Sequence, residues 1–138
     1  MILTHPNPIL SLVSEPATPF EAAEIVEKLK SALAKSGGVG LAAPQIGILR
    51  RVIVVKPMQN IFAFVNSVIV ERSRRMVRSV EGCLSVPGKT VAIQRHASVT
   101  IRHDGGTTHC HGLMARIVQH EIDHLDGITI VQRENRAK

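Results

Sequence analysis

At 138 residues the chain has room for one core of ordinary size and not for two ordinary domains. Apolar residues at 44% and charged residues at 20% exclude wholesale disorder, and three Phe with no Trp or Tyr demand an aliphatic core without aromatic platforms for single-stranded nucleic acid. A formal charge of +6 favours loose attraction to RNA or acidic surfaces, two cysteines cannot make a disulfide framework, and no leader or membrane-length apolar run is seen, so a reduced cytoplasm is expected.

In chain order, "THPNPILSL" reads as an extended arm because Pro6 and Pro8 resist regular structure. "TPFEAAEIVEKLKSALAKSGG" is the clearest helix. Thr18 caps it, Pro19 suits its first turn, Glu21 completes a capping box, and Gly37 with Gly38 end it. Ala22, Val26, Leu29 and Leu33 recur at helical spacing and define its inner face. "VGLAAPQIG" is a loop or short irregular strand. Strands follow at 50–55, at 61–71 with a break near Asn66, at 75–85 with a turn at Gly82, at 89–94 and at 97–103. "DGG" marks a hairpin, "TTHCH" returns as a strand, and "GLMARIVQHEIDHLDG" is a second helix ended by Gly127. The basic stretch "ERSRRMVR" at 71–78 is read as a solvated strand edge that resists aggregation. Helix, several short strands, helix: the order implies α+β, with mostly antiparallel sheets packed around the second helix.

That second helix carries the chemistry. In "QHEIDHLDG" (119–127) two histidines stand four residues apart. At 1.5 Å rise per residue they share one face, roughly 6 Å apart along the axis. Two imidazoles so placed can hold one divalent ion, and Glu121 can act as a base toward a water beside it. The rest of the helix is apolar, so these polar groups face inward, where a buried pair of imidazoles and a carboxylate needs a partner such as a cation.

Two histidines leave a site incomplete. Position 130 is Ile, so the longer His-Glu-x-x-His-x-x-Gly-x-x-His pattern fails, and few residues follow for a downstream carboxylate. The third ligand comes from upstream: Cys83, Cys110, or one of His5, His96, His103, His109 and His111. Cys110 runs almost directly into the helix and reads as a core-facing strand residue between outward His109 and His111. Cys83, in "VEGCLSVPG", has Gly82 to allow close approach and Pro87 to stiffen the exit. On a strand opposite the helix its sulfur completes a Cys-His-His set and leaves a fourth position for water.

Three separated stretches now resemble one known family, peptide deformylase. "GVGLAAPQ" (38–45) is similar to that family's Gly-x-Gly-Leu-Ala-Ala-x-Gln, "EGCLS" (81–85) to its Glu-Gly-Cys-Leu-Ser, and "QHEIDHLDG" to its Gln-His-Glu-x-Asp-His-Leu-x-Gly. The opening "HPNPIL" and the capped first helix also resemble the family's start, and the likeness runs from about residue 2 to residue 131.

The resemblance implies a single deformylase-like catalytic domain over 1–138. It implies metal ligation by Cys83, His120 and His124, with Fe²⁺ as the native ion and Zn²⁺, Ni²⁺ or Co²⁺ as replacements. Glu121 would be the acid–base group, with the Gln45 amide and the Leu84 backbone N–H stabilising an oxyanion. Gly38, Val39, Gly40, Glu81, Gly82, Leu113, Arg116 and Ile117 fall at substrate-binding positions, with Val39, Leu113, Ile117 and His120 around a methionine side chain. Glu81 and Arg95 match a structural ion pair. The implied substrate is a nascent chain bearing N-formylmethionine, and the implied products are formate and a free amino terminus. A monomer is expected, with no membrane and no specific nucleic-acid partner.

Two departures concern the substrate side. Arg116 stands where some members have an aliphatic residue and others an arginine, and Thr90 where some have an arginine. A third is the ending: only "ITIVQRENRAK" follows the last motif, without the long C-terminal helix used by many bacterial members in ribosome docking. Weak ribosome association through the net charge is the remaining expectation there. Two other readings use the same residues: a small metallopeptidase, which needs a longer cleft, and a non-catalytic basic module, which would hold no metal.

Overall fold

The computed structural model describes residues 1–137, so the last residue of the expected domain, Lys138, lies outside the described residues. Helix α1 spans Pro19–Ser36, β1 Gly40–Ala42, β2 Val52–Val55, β3 Phe62–Val65, β4 Val68–Arg72, β5 Met76–Cys83, β6 Val86–His96, β7 Ser98–His103, β8 Gly106–His111, α2 Gly112–Leu125 and α3 Ile130–Ala137. Every strand pair is antiparallel, in three small sheets of order β1-β2-β3, β4-β7-β8 and β5-β6. The α+β expectation holds.

The run "VIVV" explains where the core sits. All four residues of β2 are buried, so this strand has no solvent face. Strand alternation sends Ile53 and Val55 into the cluster under α2 with Ala42, Phe64, Ile101, Ile117 and Ile122. Val52 and Val54 go the other way, onto Leu29, Leu33 and Leu41 beneath α1. One short strand therefore glues the two helices to opposite faces of the same sheet, with aliphatic side chains alone.

The Thr18 hydroxyl accepts from the Glu21 N–H at 3.3 Å, and Gly37 caps the other end of α1 with φ 74°. Its fully buried face uses Ile25, where the sequence pointed to Val26, which packs at the edge of the cluster. The N-terminal arm also differs. Residues Pro8–Ser11 form a 3₁₀ turn because the Asn7 side chain accepts from the Ile9 N–H at 2.9 Å. Asn66, with φ 56°, breaks 61–71 into β3 and β4, as its position between two apolar runs suggested.

Strand β8 runs directly into α2 through Gly112, whose φ of 54° makes the corner. Cys110, just before it, is 1% exposed in the core, as read from the alternation of "HCH". Helix α2 then crosses the centre of the molecule, and residues Glu121 to Leu125 are all buried. The tail, given no element by the sequence reading, folds into the short α3, and Ile130 seals a small cluster with Val86, Val91 and Ile93 of β6.

Because Ile53 is completely buried between sheet and α2, Ile53→Ala should cost about 2–5 kcal/mol. The check is a urea titration followed by circular dichroism. A midpoint equal to that of the unaltered protein would mean β2 does not carry the core.

Candidate active site

Strand β5 and helix α2 are matched in pitch. Glu81 and Cys83 are two apart on the strand, on one face, about 6.8 Å along the chain. His120 and His124 are one helical turn apart, about 6 Å. The pairs meet in order: His120 Nδ1 lies 2.8 Å from Glu81 Oε1, and His124 Nε2 lies 3.4 Å from Cys83 Sγ. The two imidazole centroids are 5.2 Å apart. Donor atoms of Cys83, His120 and His124 all fall within 4.8 Å of one another. The pairing of β5 with β6 shifts register between Gly82 and Cys83, from Gly82 opposite Thr90 to Cys83 opposite Val86. This bulge sets the direction of the sulfur. A Cβ on Gly82 would meet nothing nearer than 3.7 Å, so its role is not the close approach expected for it.

The donor set fits a divalent ion. A carboxylate at Nδ1 of His120 leaves Nε2 to face the sulfur, as in sites where an acid orients a ligating imidazole. Burial alone would push His120 down. Hydrogen bonds to Cys83 and Glu81, together with the Glu121 charge, outweigh it and raise the imidazole to about 10. The field that retains a proton there is the field that a cation seeks. His124 is pushed well down by burial and by His120, so its ring is neutral and its lone pair is available. Its Nδ1 has no partner among the described residues. One thiol and two imidazoles suit Zn²⁺, Fe²⁺ and their neighbours, and leave room for a fourth, non-protein ligand.

Glu121 lies beside this set, 4% exposed, and its Oε1 finds no partner among the described residues. Burial lifts its carboxyl to about 7, against the attraction of His120. Gly40 leaves it space: a Cβ there would stand 2.6 Å from Glu121 Oε2 and 2.9 Å from Ile117. Only glycine lets β1 pass this close without displacing the carboxylate. Gln45 is fixed at both ends. Its Oε1 accepts from the Ala42 N–H at 2.9 Å, while Nε2 donates to Ser85 Oγ at 3.1 Å and stands 3.7 Å from Cys83 Sγ. The Leu84 N–H, in the tight β5–β6 turn, makes no hydrogen bond among those described.

Behind the site runs a buried ionic chain. Arg95, 3% exposed, clasps both oxygens of Glu81 at 2.9 and 2.8 Å and reaches Asp123 at 2.6 Å. Arg133 of α3 grips the same Asp123 through two bonds of 2.9 and 2.6 Å. Glu81 is thus held far below the usual carboxylate range, since the bonds from Arg95 and His120 overcome its burial. Arg95 is held above its ordinary value because Glu81 and Asp123 overcome its own burial. The Glu81–Arg95 pair is internal and directs a histidine.

A cleft of about 610 Å³ opens in front of the site. Gly38, Val39, Gly40, Gly82, Leu113, Arg116 and Ile117 all line it, as do Gln45, Glu81, Cys83, Leu84, His120 and Glu121. Of the predicted residues, Arg95 and His124 do not line it: Arg95 lies behind, and His124 is buried at 1% exposure. Val39 and Leu113 are about half exposed, so they border the mouth, while Ile117 is buried at the floor. Sequence reading missed Ser85, Asp123 and Arg133. Asp123 was visible inside the histidine motif as an acid on a helix with little solvent face, and Ser85 closes the stretch "EGCLS"; Arg133 gave no signal before the chain was folded.

Comparison with known proteins agrees with this geometry. The family model described as polypeptide deformylase matches residues 1–138. The chain belongs to the peptide deformylase family. A peptide deformylase of Desulforudis audaxviator is 40% identical, over 96% of this chain and 91% of its own length. The class I type b peptide deformylase of Acinetobacter baumannii, solved with Met-Ala-Ser bound, superposes with a TM-score of 0.90 at 33% identity, covering 96% of each chain. A probable peptide deformylase of synechococcus phage S-SSM7 gives a TM-score of 0.88 at 37% identity, over 96% of this chain and 98% of that one. The chain is therefore a metal-dependent hydrolase of the family that removes the N-formyl group from nascent polypeptides.

Glu81→Gln should destabilise the protein by about 3 kcal/mol at neutral pH, because it removes one of the two acids that neutralise the buried Arg95 guanidinium. A carboxyl depressed in the folded state stabilises above its ordinary value of 4.5 and loses that contribution as pH falls below it. The variant's urea midpoint should therefore depend less on pH in the acid range than that of the unaltered protein. Equal midpoints at neutral pH would reduce the pair to a solvated contact.

Proposed function

We propose that Cys83, His120 and His124 hold one divalent ion and that the residues around it remove formyl groups from N-formylmethionyl peptides. The observation that carries these roles is the convergence of three donor atoms within 4.8 Å beside a buried, unpartnered glutamate. A divalent ion held there would lower the pKa of a water at its open position and polarise a carbonyl.

The chain's own groups do the rest. Glu121, lifted by burial, takes the proton from the attacking water and passes it to the departing amine. Gln45 Nε2, locked by Ala42 and Ser85, and the free N–H of Leu84 donate to the oxygen that gains charge. A donor so placed contributes about 3 kcal/mol to the barrier. Both strands flanking the cleft are sheet edges: β1 pairs only with β2, and β5 only with β6. An extended peptide can therefore lie along Gly38–Gly40 by strand addition. Val39, Leu113, Ile117 and His120 border the space for the methionine side chain.

Fe²⁺ is the native ion in this reading, with Zn²⁺, Ni²⁺ or Co²⁺ accepted by the same donors. The enzyme works as a monomeric single domain in the cytoplasm. No described helix is long and apolar enough to cross a membrane. Its +6 charge supports weak, salt-sensitive attraction to ribosomes, which cosedimentation at low and high salt checks; equal recovery at both refutes it.

Glu121→Gln should keep one equivalent of metal after anaerobic purification and lose formate release from formyl-Met-Ala-Ser by about 10²–10⁴-fold. Cys83→Ala should lose the metal itself. Metal analysis and formate assay on the same preparations separate the two roles, and a Glu121→Gln variant with full activity would overturn the acid–base assignment.

A further inference from the structure

Arg116 is the feature of the cleft that the reaction does not use. It lies one helical turn before His120 on α2, about 6 Å toward the mouth. Arg116 is partly buried and lines the cleft, and no hydrogen bond or ion pair engages it among the described residues. The other arginines near α2 are committed: Arg95 to Glu81 and Asp123, Arg133 to Asp123, Arg51 to Asp126. Lys89, also in the cleft wall, reaches Glu134 at 3.3 Å, with the pair's side chains 46% and 30% exposed. So loose a contact releases its ammonium readily.

The two acids of the cleft cannot serve Arg116. Glu81 is saturated by Arg95 and His120, and Glu121 is buried against Gly40 deep in the site. Among the described residues the Arg116 charge thus stands at the mouth without an acid to neutralise it, next to the apolar wall made by Val39 and Leu113. A guanidinium in this state is complementary to a carboxylate, which it can grip through two parallel hydrogen bonds.

We propose that Arg116 is a specificity-determining residue that selects formylated peptides with an acidic side chain at the second or third position. The proposal rests on the deformylase reading of the cleft and deepens it. The methionine side chain goes to the floor near Ile117, so the residues after it pass the mouth, where Arg116 meets their side chains. Lys89 adds a weaker contribution of the same sign. A basic side chain at those positions faces repulsion from both.

The test uses the metal-loaded enzyme and peptide amides, so that the only carboxylate is the side chain. Formate release is measured for formyl-Met-Ala-Ser-amide, formyl-Met-Asp-Ser-amide, formyl-Met-Ala-Asp-amide and their lysine counterparts. At low salt the Asp-to-Lys ratio of kcat/KM should be roughly tenfold in the better of the two positions, and it should shrink with added salt. Arg116→Gln should reduce that ratio to about twofold, Arg116→Lys should retain most of it, and Arg116→Glu should invert it. Ratios within one enzyme are unaffected by a general loss of rate, and circular dichroism confirms that each variant is folded. Equal ratios in the unaltered enzyme and Arg116→Gln, or a preference for lysine, would overturn the proposal while leaving deformylation intact. Should formyl-Met-Ala-Ser-amide release no formate at all, the deformylase reading fails instead. Calorimetric binding of Met-Asp-Ser-amide against Met-Lys-Ser-amide then decides the charge preference separately.

Discussion

The structure depends on carrying ionisable side chains through its centre on one helix. From Glu121 to Leu125, α2 has no exposed residue, yet that stretch includes Glu121, Asp123 and His124, with His120 one step before. Each such group costs several kcal/mol to bury unless something charged or hydrogen-bonded meets it. The partners come from elements distant in sequence: Glu81 and Cys83 from β5, Arg95 from β6, Arg133 from α3. The β5–β6 sheet and a short terminal helix are thus tied to α2 at one point. The aliphatic core supplies cohesion, and these pairings supply the register.

The same accounting shows which groups are left over. Asp123 is met by two arginines, and Glu81 by an arginine and a histidine. Glu121 Oε1 and His124 Nδ1 are buried and unmet. Of the two, Glu121 Oε1 lies beside the converging donor atoms of Cys83, His120 and His124, whereas His124 Nδ1 is the ring nitrogen turned away from Cys83. Gly40 repeats the point in steric terms, since any side chain there would fill the space that the Glu121 carboxylate holds. Unsatisfied groups in a site are costs to stability that chemistry explains.

The elements were largely legible in the sequence because their signals are local. Thr18 and Gly37 cap α1, Asn66 breaks a strand, Gly112 turns a strand into a helix, and alternation puts Cys110 inside. The Cys-His-His set was legible for another reason: two histidines on one helical face leave a deficit that few residues can fill. What stayed hidden is non-local. Ser85 acquires meaning only when β5 folds over the Gln45 turn, and Arg133 only when α3 docks behind α2. Val26 and Ile25 both pack on this cluster, because helical periodicity fixes a face to within one residue, and Ile25 is the more deeply buried of the two.

Charge is also arranged along the cleft. Its deep end is negative, where Cys83, Glu81 and Glu121 surround His120 strongly enough to raise that imidazole to about 10. Its mouth is positive, with Arg116 and Lys89. A divalent ion bound as proposed would neutralise the first field and leave the second. In that reading a peptide entering amino-terminus first would bring a formylated, uncharged end to the deep site. Its later residues remain beside the cations. In the proposed reaction the formyl group keeps that leading end neutral, so the cations at the mouth act on the side chains that follow it.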